Sequence, residues 1–316
     1  MSVPAIYLAP LQGLTDHTFR KVFPKHFGGI DRAYTPYFSV NSNSLPTKTK
    51  LEKFLTAGCE HFQIIPQVLT NDARAFISFS QLASEMGINM VNLNMGCPYP
   101  VVTKKGKGAG MLPYPDKVDH FLEKISMGSK TEISLKVRLG LQSENEIYKL
   151  VPVFNRYPVK EIIIHPRIGS EYYEGTPKRG LYAELESQLL TEVIYNGDIF
   201  SVKDYNSLKD QFPETEKIML GRGILQNPFL CEELKGSERK DSNMSRLYVY
   251  LDKLVHELSS DRSKGEKFPQ GIKEFWWHLS QSFDNTDAVF DLIKVENTFE
   301  GYFKAVEKVF SNFKWK

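Results

Sequence analysis

Short apolar runs bounded by glycine, proline or polar turns recur along the first two thirds of this 316-residue chain. They fall at Ala5–Ala9, Asp31–Phe38, Phe62–Gln67, Met90–Met95, Glu132–Val137, Glu161–His165, Glu192–Asn196 and Lys217–Leu220. Runs of this kind predict short strands. Most of the stretches between them carry helical periodicity instead. In Asp72–Met86, for instance, Phe76, Phe79, Leu82, Ala83 and Met86 recur at three- and four-residue spacing. Asp116–Met127 repeats the pattern with Val118, Phe121, Leu122 and Ile125. Strand–helix alternation repeated about eight times predicts an α/β fold of the (β/α)8, or TIM-barrel, type. A doubly wound sheet is the main alternative. The barrel is preferred because polar, non-repeating residues follow nearly every strand, at the end where barrel enzymes carry their sites. The second strand is the weakest of the eight, since Pro36 interrupts it.

Beyond Asn227-Pro228 the pattern changes. Lys235–Asn243 reads as a polar connector, and only helical patterns follow it. These are Leu247, Leu251, Leu254, Val255 and Leu258; then Ile272, Phe275, Trp276, Leu279 and Phe283; then Phe299, Phe303, Val306, Phe310 and Phe313. They predict a bundle of three or four helices. The chain therefore divides into a barrel domain over residues 1–235 and a small helical domain over 244–316.

Composition narrows the class without naming a function. At 41% hydrophobic and 25% charged residues the chain can bury a full core and is far from disordered. A net charge of +2 does not announce a nucleic-acid binder, although a local basic patch can still meet phosphate. The three cysteines, Cys59, Cys97 and Cys231, are far apart and make no metal-ligand spacing, so no metal is expected. Sparse, odd cysteine usage suits a reducing cytoplasm. Met1–Pro10 has no basic leader and reads as the first strand, and no segment reaches membrane-spanning length.

The candidate chemistry lies at the strand ends. Val91–Pro98 delivers Cys97 at the end of an apolar strand that Pro98 cannot continue. Asn196-Gly197-Asp198 and Gly221-Arg222-Gly223 close strands seven and eight, where barrels form phosphate sites. Glycine lets main-chain N–H groups approach phosphate, and Arg222 can add a charge-assisted bond. Lys136 stands inside an apolar strand, where burial calls for an anionic partner such as the pyrimidine edge of a reduced flavin. Gln67 offers both donor and acceptor to that edge. Each residue alone has a plain alternative: a core thiol, a satisfied core histidine at His165, a simple turn. One candidate per strand end, all in one register, predicts a site for a phosphate-bearing cofactor.

With these residues assembled, the chain resembles the tRNA-dihydrouridine synthases, flavin enzymes that reduce uridine in tRNA. The resemblance rests on Ala9–Asp16 with Phe19-Arg20, Asn92–Pro98, Lys136–Gly140, His165-Pro166-Arg167 with Tyr173 and Gly175, Asn196–Ile199, and Gly221-Arg222-Gly223 with Asn227-Pro228. It implies FMN held by Pro10, Leu11, Gln12, Gln67, Lys136, His165, Asn196, Gly197, Asp198, Gly221 and Arg222. It implies NADPH or NADH as reductant, hydride transfer to C6 of uracil, and Cys97 as proton donor to C5. Asn94, Arg138, Arg167 and Tyr173 are then expected at the target base. Lys104, Lys105 and Lys107, which follow Cys97 closely, are expected where tRNA phosphates pass the barrel mouth. The implied enzyme is a cytoplasmic monomer. Gln12, the run Thr215–Met219 and the lysine-rich 104–110 loop depart from the common family pattern. Two other readings stay open at this point: an FMN-barrel dehydrogenase for a small free pyrimidine, and a non-catalytic RNA-binding barrel.

Overall fold

In the computed structural model, which describes residues 3–237, 242–260 and 268–316, ten parallel strands join in one sheet. They are β1 (Ala5–Leu8), β2 (Arg32–Tyr34), β3 (Phe38–Ser39), β4 (Gln63–Ile65), β5 (Gln67–Leu69), β6 (Met90–Met95), β7 (Glu132–Gly140), β8 (Val159–Ile168), β9 (Glu192–Tyr195) and β10 (Lys217–Leu220). The ten reduce to the eight expected. β2 pairs with β4 and β3 with β5, so Pro36 splits one barrel strand and Pro66 the next. Neither proline has an N–H to give its ladder. Across the break Thr35 donates its N–H to Ile65 (3.0 Å) and accepts at its hydroxyl from the Gln67 N–H (3.0 Å). β1 pairs with both β10 and β2, and the ring closes.

Two strands run longer than their apolar patterns. β8 continues through Pro166, opposite an irregularity in the ladder between Arg138 and Gly140 of β7. An irregular ladder tolerates a residue without an N–H.

The lower barrel interior is apolar, with Tyr7, Ile65, Met90, Ile163, Ile194 and Met219 in contact. A string of polar side chains crosses it. Asn94 donates to Gln67 Oε1 (2.7 Å), Gln67 to Asn92 Oδ1 (2.7 Å), Asn92 to Ser134 Oγ (2.7 Å), and Ser134 to Glu161 Oε1 (3.0 Å). Glu161 also accepts from the Tyr34 hydroxyl and from Arg32 (2.8 Å). Each amide and carboxylate in the string finds partners, which a low-dielectric interior requires.

Outside the ring lie the expected helices. Ala73–Glu85 is capped by Asp72, whose carboxylate accepts from the Ala75 N–H (3.2 Å), and it buries Phe76, Phe79 and Ala83. Pro115–Gly128 buries Val118, Phe121, Leu122 and Ile125. Among the described residues, four further helices follow the barrel: Ser242–Ser260, Gly271–Leu279, Thr286–Lys294 and Phe299–Asn312. They share a core in which Trp276 donates to the Tyr302 hydroxyl (3.1 Å). Arg246 ties them to the barrel through Glu232 (2.7 and 3.1 Å), with its guanidinium 5.2 Å from the rings of Phe27 and Phe229. Of the expected connector 235–243, residues 238–241 lie outside the described residues. Among the described residues no helix is long and apolar enough to cross a membrane.

Replacing Glu161 with alanine strands Arg32, Tyr34 and Ser134 without their shared acceptor. Urea denaturation of Glu161→Ala is expected to show a loss of about 3 kcal/mol, with Glu161→Gln losing less. Equal stability of parent and alanine variant would contradict the role given to the polar string.

Candidate active site

The C-terminal ends of the strands open into two joined cavities. The larger, about 530 Å³, is lined by Pro10, Leu11, Gln12, Asn94, Cys97, Lys136, Arg138, His165, Tyr173 and Arg222, among others. The smaller, about 70 Å³, is a cup walled by Asn196–Phe200 and Gly221–Gly223. Pro10, Leu11, Lys136, His165, Tyr173 and Arg222 border both. Most of the residues expected from sequence therefore do meet in one place.

Cys97 sits just past β6, 8% exposed, on a backbone held from several sides. Asn94 Oδ1 accepts from the N–H groups of Gly96 (3.1 Å) and Cys97 (2.9 Å). Arg138 donates to the Gly96 carbonyl (3.1 Å) and to that of Ile168 (2.9 Å). The Cys97 carbonyl accepts from Ala109 (3.0 Å), so the chain folds back over the cysteine. Gly108 makes that return at φ +58°, and a Cβ there would lie 2.6 Å from the Cys97 carbonyl oxygen. Burial pushes the Cys97 thiol up, against the opposing pull of the Tyr37 hydroxyl, Arg138 and Lys136. The result is a protonated thiol facing a cavity, poised as an acid rather than a nucleophile.

Positive charge dominates the rest. Burial, with Arg138 beside it, lowers the Lys136 ammonium to about 7. Burial, reinforced by Arg138, Lys136, Arg167 and Arg222, pushes His165 well below its usual value and keeps the imidazole neutral. Asp198 is the one carboxylate among the residues lining the two cavities. Its oxygens already accept from Arg167 (2.6 and 3.1 Å) and Arg222 (2.5 Å). Lys136 is thus left facing the cavity without an acidic partner.

Two glycines of the cup leave no room for a side chain. A Cβ on Gly197 would lie 2.1 Å from the Tyr195 hydroxyl, and one on Gly223 2.1 Å from the Ile199 carbonyl. Asn196 is fixed by a bond from its amide to the Met219 carbonyl (2.8 Å). Arg222, at the mouth of the cup, lies 4.5 Å from the Tyr173 ring centroid. A backbone pocket beside an arginine suits phosphate, and the larger cavity beside it suits an apolar ring with an anionic edge.

Four expected groups stand elsewhere, or are already engaged by neighbours, in the structure. Gln67 lines neither cavity; its amide is used on Asn92 and Asn94, so it acts on the site through Asn94. Arg167, expected at the substrate, is 1% exposed and braces Asp198 and the carbonyls of Glu174 and Gly175. The Asp198 carboxylate orients two arginines, so only its backbone is free to meet an anion. The lysine loop does not border the cysteine cavity: Lys104 and Lys105 line a separate cavity, and Lys107 bonds the Val40 carbonyl (3.2 Å). Other lining residues were missed. Tyr37 hides in the break after Pro36. Trp277 and His278 come from the helix Gly271–Leu279, with Trp277 52% exposed and His278 lowered to about 4 by burial and Arg222. Neither belongs to the apolar stripe of that helix, and this was the available signal.

Comparison with known proteins follows the same line. The family model described as Dihydrouridine synthase (Dus) matches residues 7–311. The chain is 30% identical over 241 residues to tRNA-dihydrouridine synthase B of Pasteurella multocida, spanning 75% of this chain and 70% of that one. It is 25% identical over 301 residues to a tRNA-dihydrouridine(16) synthase of Neisseria meningitidis, spanning 92% and 90%. Among solved structures, histamine dehydrogenase from Rhizobium sp. 4-9 matches in fold, with a TM-score of 0.56 at 12% identity over 80% of this chain and 48% of that one.

The thiol assignment is open to direct titration. In Cys59→Ser, Cys97 is the one partly accessible thiol, since Cys231 is fully buried. Its iodoacetamide alkylation rate is expected to climb only above the ordinary thiol value of about 8.5. A plateau reached below pH 8 would mean a thiolate.

Proposed function

Because the chain belongs to the dihydrouridine synthase family, its reaction is the flavin-dependent reduction of tRNA uridine to dihydrouridine, and we propose that the cysteine cavity and glycine cup together are its active site. The observation that carries this reading is Lys136, a partly buried amine without an acidic partner among the described residues, placed between the cup and a protonated thiol. The residues present fit FMN. Asn196, Gly197, the Asp198 backbone, Gly221 and Arg222 would hold its phosphate, Pro10, Leu11, Gln12 and His165 would surround its ring, and Lys136 would balance its charge. When bound and reduced by NADPH or NADH, FMN supplies the hydride that adds to C6 of uracil.

The chain's own residues supply the rest. The Cys97 S–H bond breaks and its proton goes to C5, so that one hydride and one proton saturate the C5=C6 bond. The thiolate left behind is stabilised by the Tyr37 hydroxyl, Arg138 and Lys136. Neutral His165 cannot add to the positive charge and is suited to hydrogen bonding at the ring. The target base must leave its stack to enter, and this costs least in a loop. Tyr173 and Tyr99 offer exposed rings to receive it, and Trp277 brings a third from the helical region. Asn94, also lining the cavity, meets the base while fixing the cysteine loop. In this reading the chain works as a cytoplasmic monomer, residues 1–235 carrying the chemistry and 244–316 completing the tRNA cleft. A dehydrogenase for a free pyrimidine has no use for Trp277 and His278 at the cavity mouth.

Dihydrouridine content of cellular tRNA is the test. A strain lacking this chain is expected to lose dihydrouridine at its target, and the parental gene to restore it. Cys97→Ala should retain FMN while turnover falls about 10²–10⁴-fold. Parental turnover in Cys97→Ala would remove the cysteine from the mechanism; undiminished dihydrouridine in the deletion strain would remove the function.

A further inference from the structure

A second cavity of about 460 Å³ opens at the same end of the barrel, separate from the one holding Cys97. Its walls come from Asn71 after β5, the 103–111 segment after β6, Leu141 after β7, and the start of the helix Pro115–Gly128 with Tyr114 before it. The three connections leave the C-terminal ends of their strands, the face where the reaction is placed. Lys104, Lys105 and Lys117 line this cavity, and no aspartate or glutamate does. The half-exposed ring of Tyr114 stands at its edge with the Lys117 ammonium 4.5 Å from the ring centroid. Val118 and Leu141 give it an apolar wall.

The lysines are carried on a folded segment, not a loose one. Asn71 donates to the carbonyls of Lys105 (2.9 Å) and Gly106 (3.2 Å), and Ala109 returns the segment to Cys97. A cavity of this size takes a nucleoside. Cations, an aromatic face and an apolar wall in one place are what single-stranded RNA binding uses.

We propose that this cavity binds a second nucleotide of the substrate tRNA, its base against Tyr114 and its phosphates on Lys104, Lys105 and Lys117. The proposal rests on the reading that the chain acts on tRNA. One nucleotide is taken into the cysteine cavity for reduction and another is held about the far side of the same segment, so the cysteine loop is clamped between two bound nucleotides. The pocket selects a substrate with an unpaired residue near the target.

Fluorescence anisotropy with an unmodified tRNA transcript, at several salt concentrations, tests this. Tyr114→Ala is expected to raise Kd about tenfold, and Tyr114→Phe to keep the parental value. Replacing Lys104, Lys105 and Lys117 with alanine together should flatten the slope of log K against log salt by about 2. The KM for NADPH should stay unchanged in all of these variants. A parental Kd in Tyr114→Ala, or a raised KM for NADPH in place of a raised Kd, overturns the assignment. A parental chain that binds no tRNA overturns the functional reading as well, which separates the two failures.

Discussion

Positive charge gathered at the barrel mouth, with one carboxylate among the residues lining the two cavities, is the constraint on which the site depends. Lys136, Arg138, Arg167 and Arg222 converge there, and Asp198 is already shared by two of the arginines. Burial penalises each of these charges first, and the like charges beside them add to it. The structure answers in three ways: His165 stays neutral, Lys136 gives up much of its basicity, and Arg138 spends its hydrogen bonds on carbonyls. What remains is a deficit of negative charge beside a glycine cup. An anionic cofactor completes that balance, and a cation does not.

The same arrangement sets the character of the cysteine. Asn94 and Arg138 fix its backbone, while burial keeps its proton on. The cations that lie near it do too little to make a thiolate in the free protein, yet they are in place to accept one after proton transfer. Asn94 is itself fixed by Gln67, and Gln67 by Asn92, so the polar string from Glu161 ends at the cysteine loop. Stability of the barrel interior and placement of the thiol are consequences of one chain of hydrogen bonds.

Much of this was legible in the sequence. Strand and helix periods were regular enough to give the barrel, and Pro36 announced the split strand. The cup was readable because glycines at 197, 221 and 223 sit at strand ends, where backbone and not side chain meets the ligand. The hydrogen bonds that Gln67 and Arg167 make to neighbouring residues were not legible, for a common reason. A strand-end position says that a side chain points inward, but not which neighbour takes its hydrogen bonds. Lys104 and Lys105 are near Cys97 in sequence, yet the short helix Pro100–Thr103 between them leads the lysines away to another cavity. Trp277 and His278 reach the site from a distant helix, and only tertiary packing brings them there.

The charge balance can be measured through protons. FMN titrated calorimetrically into cofactor-free protein at pH 8, in buffers of differing ionisation enthalpy, reports protons taken up on binding. Lys136, near 7 in the free site, is mostly neutral at pH 8; a bound anion raises it and it takes up a proton. The account predicts uptake approaching one proton at pH 8, shrinking as the pH falls below 7, and absent in Lys136→Met. Binding with no proton uptake at pH 8, or uptake that persists in Lys136→Met, would contradict it.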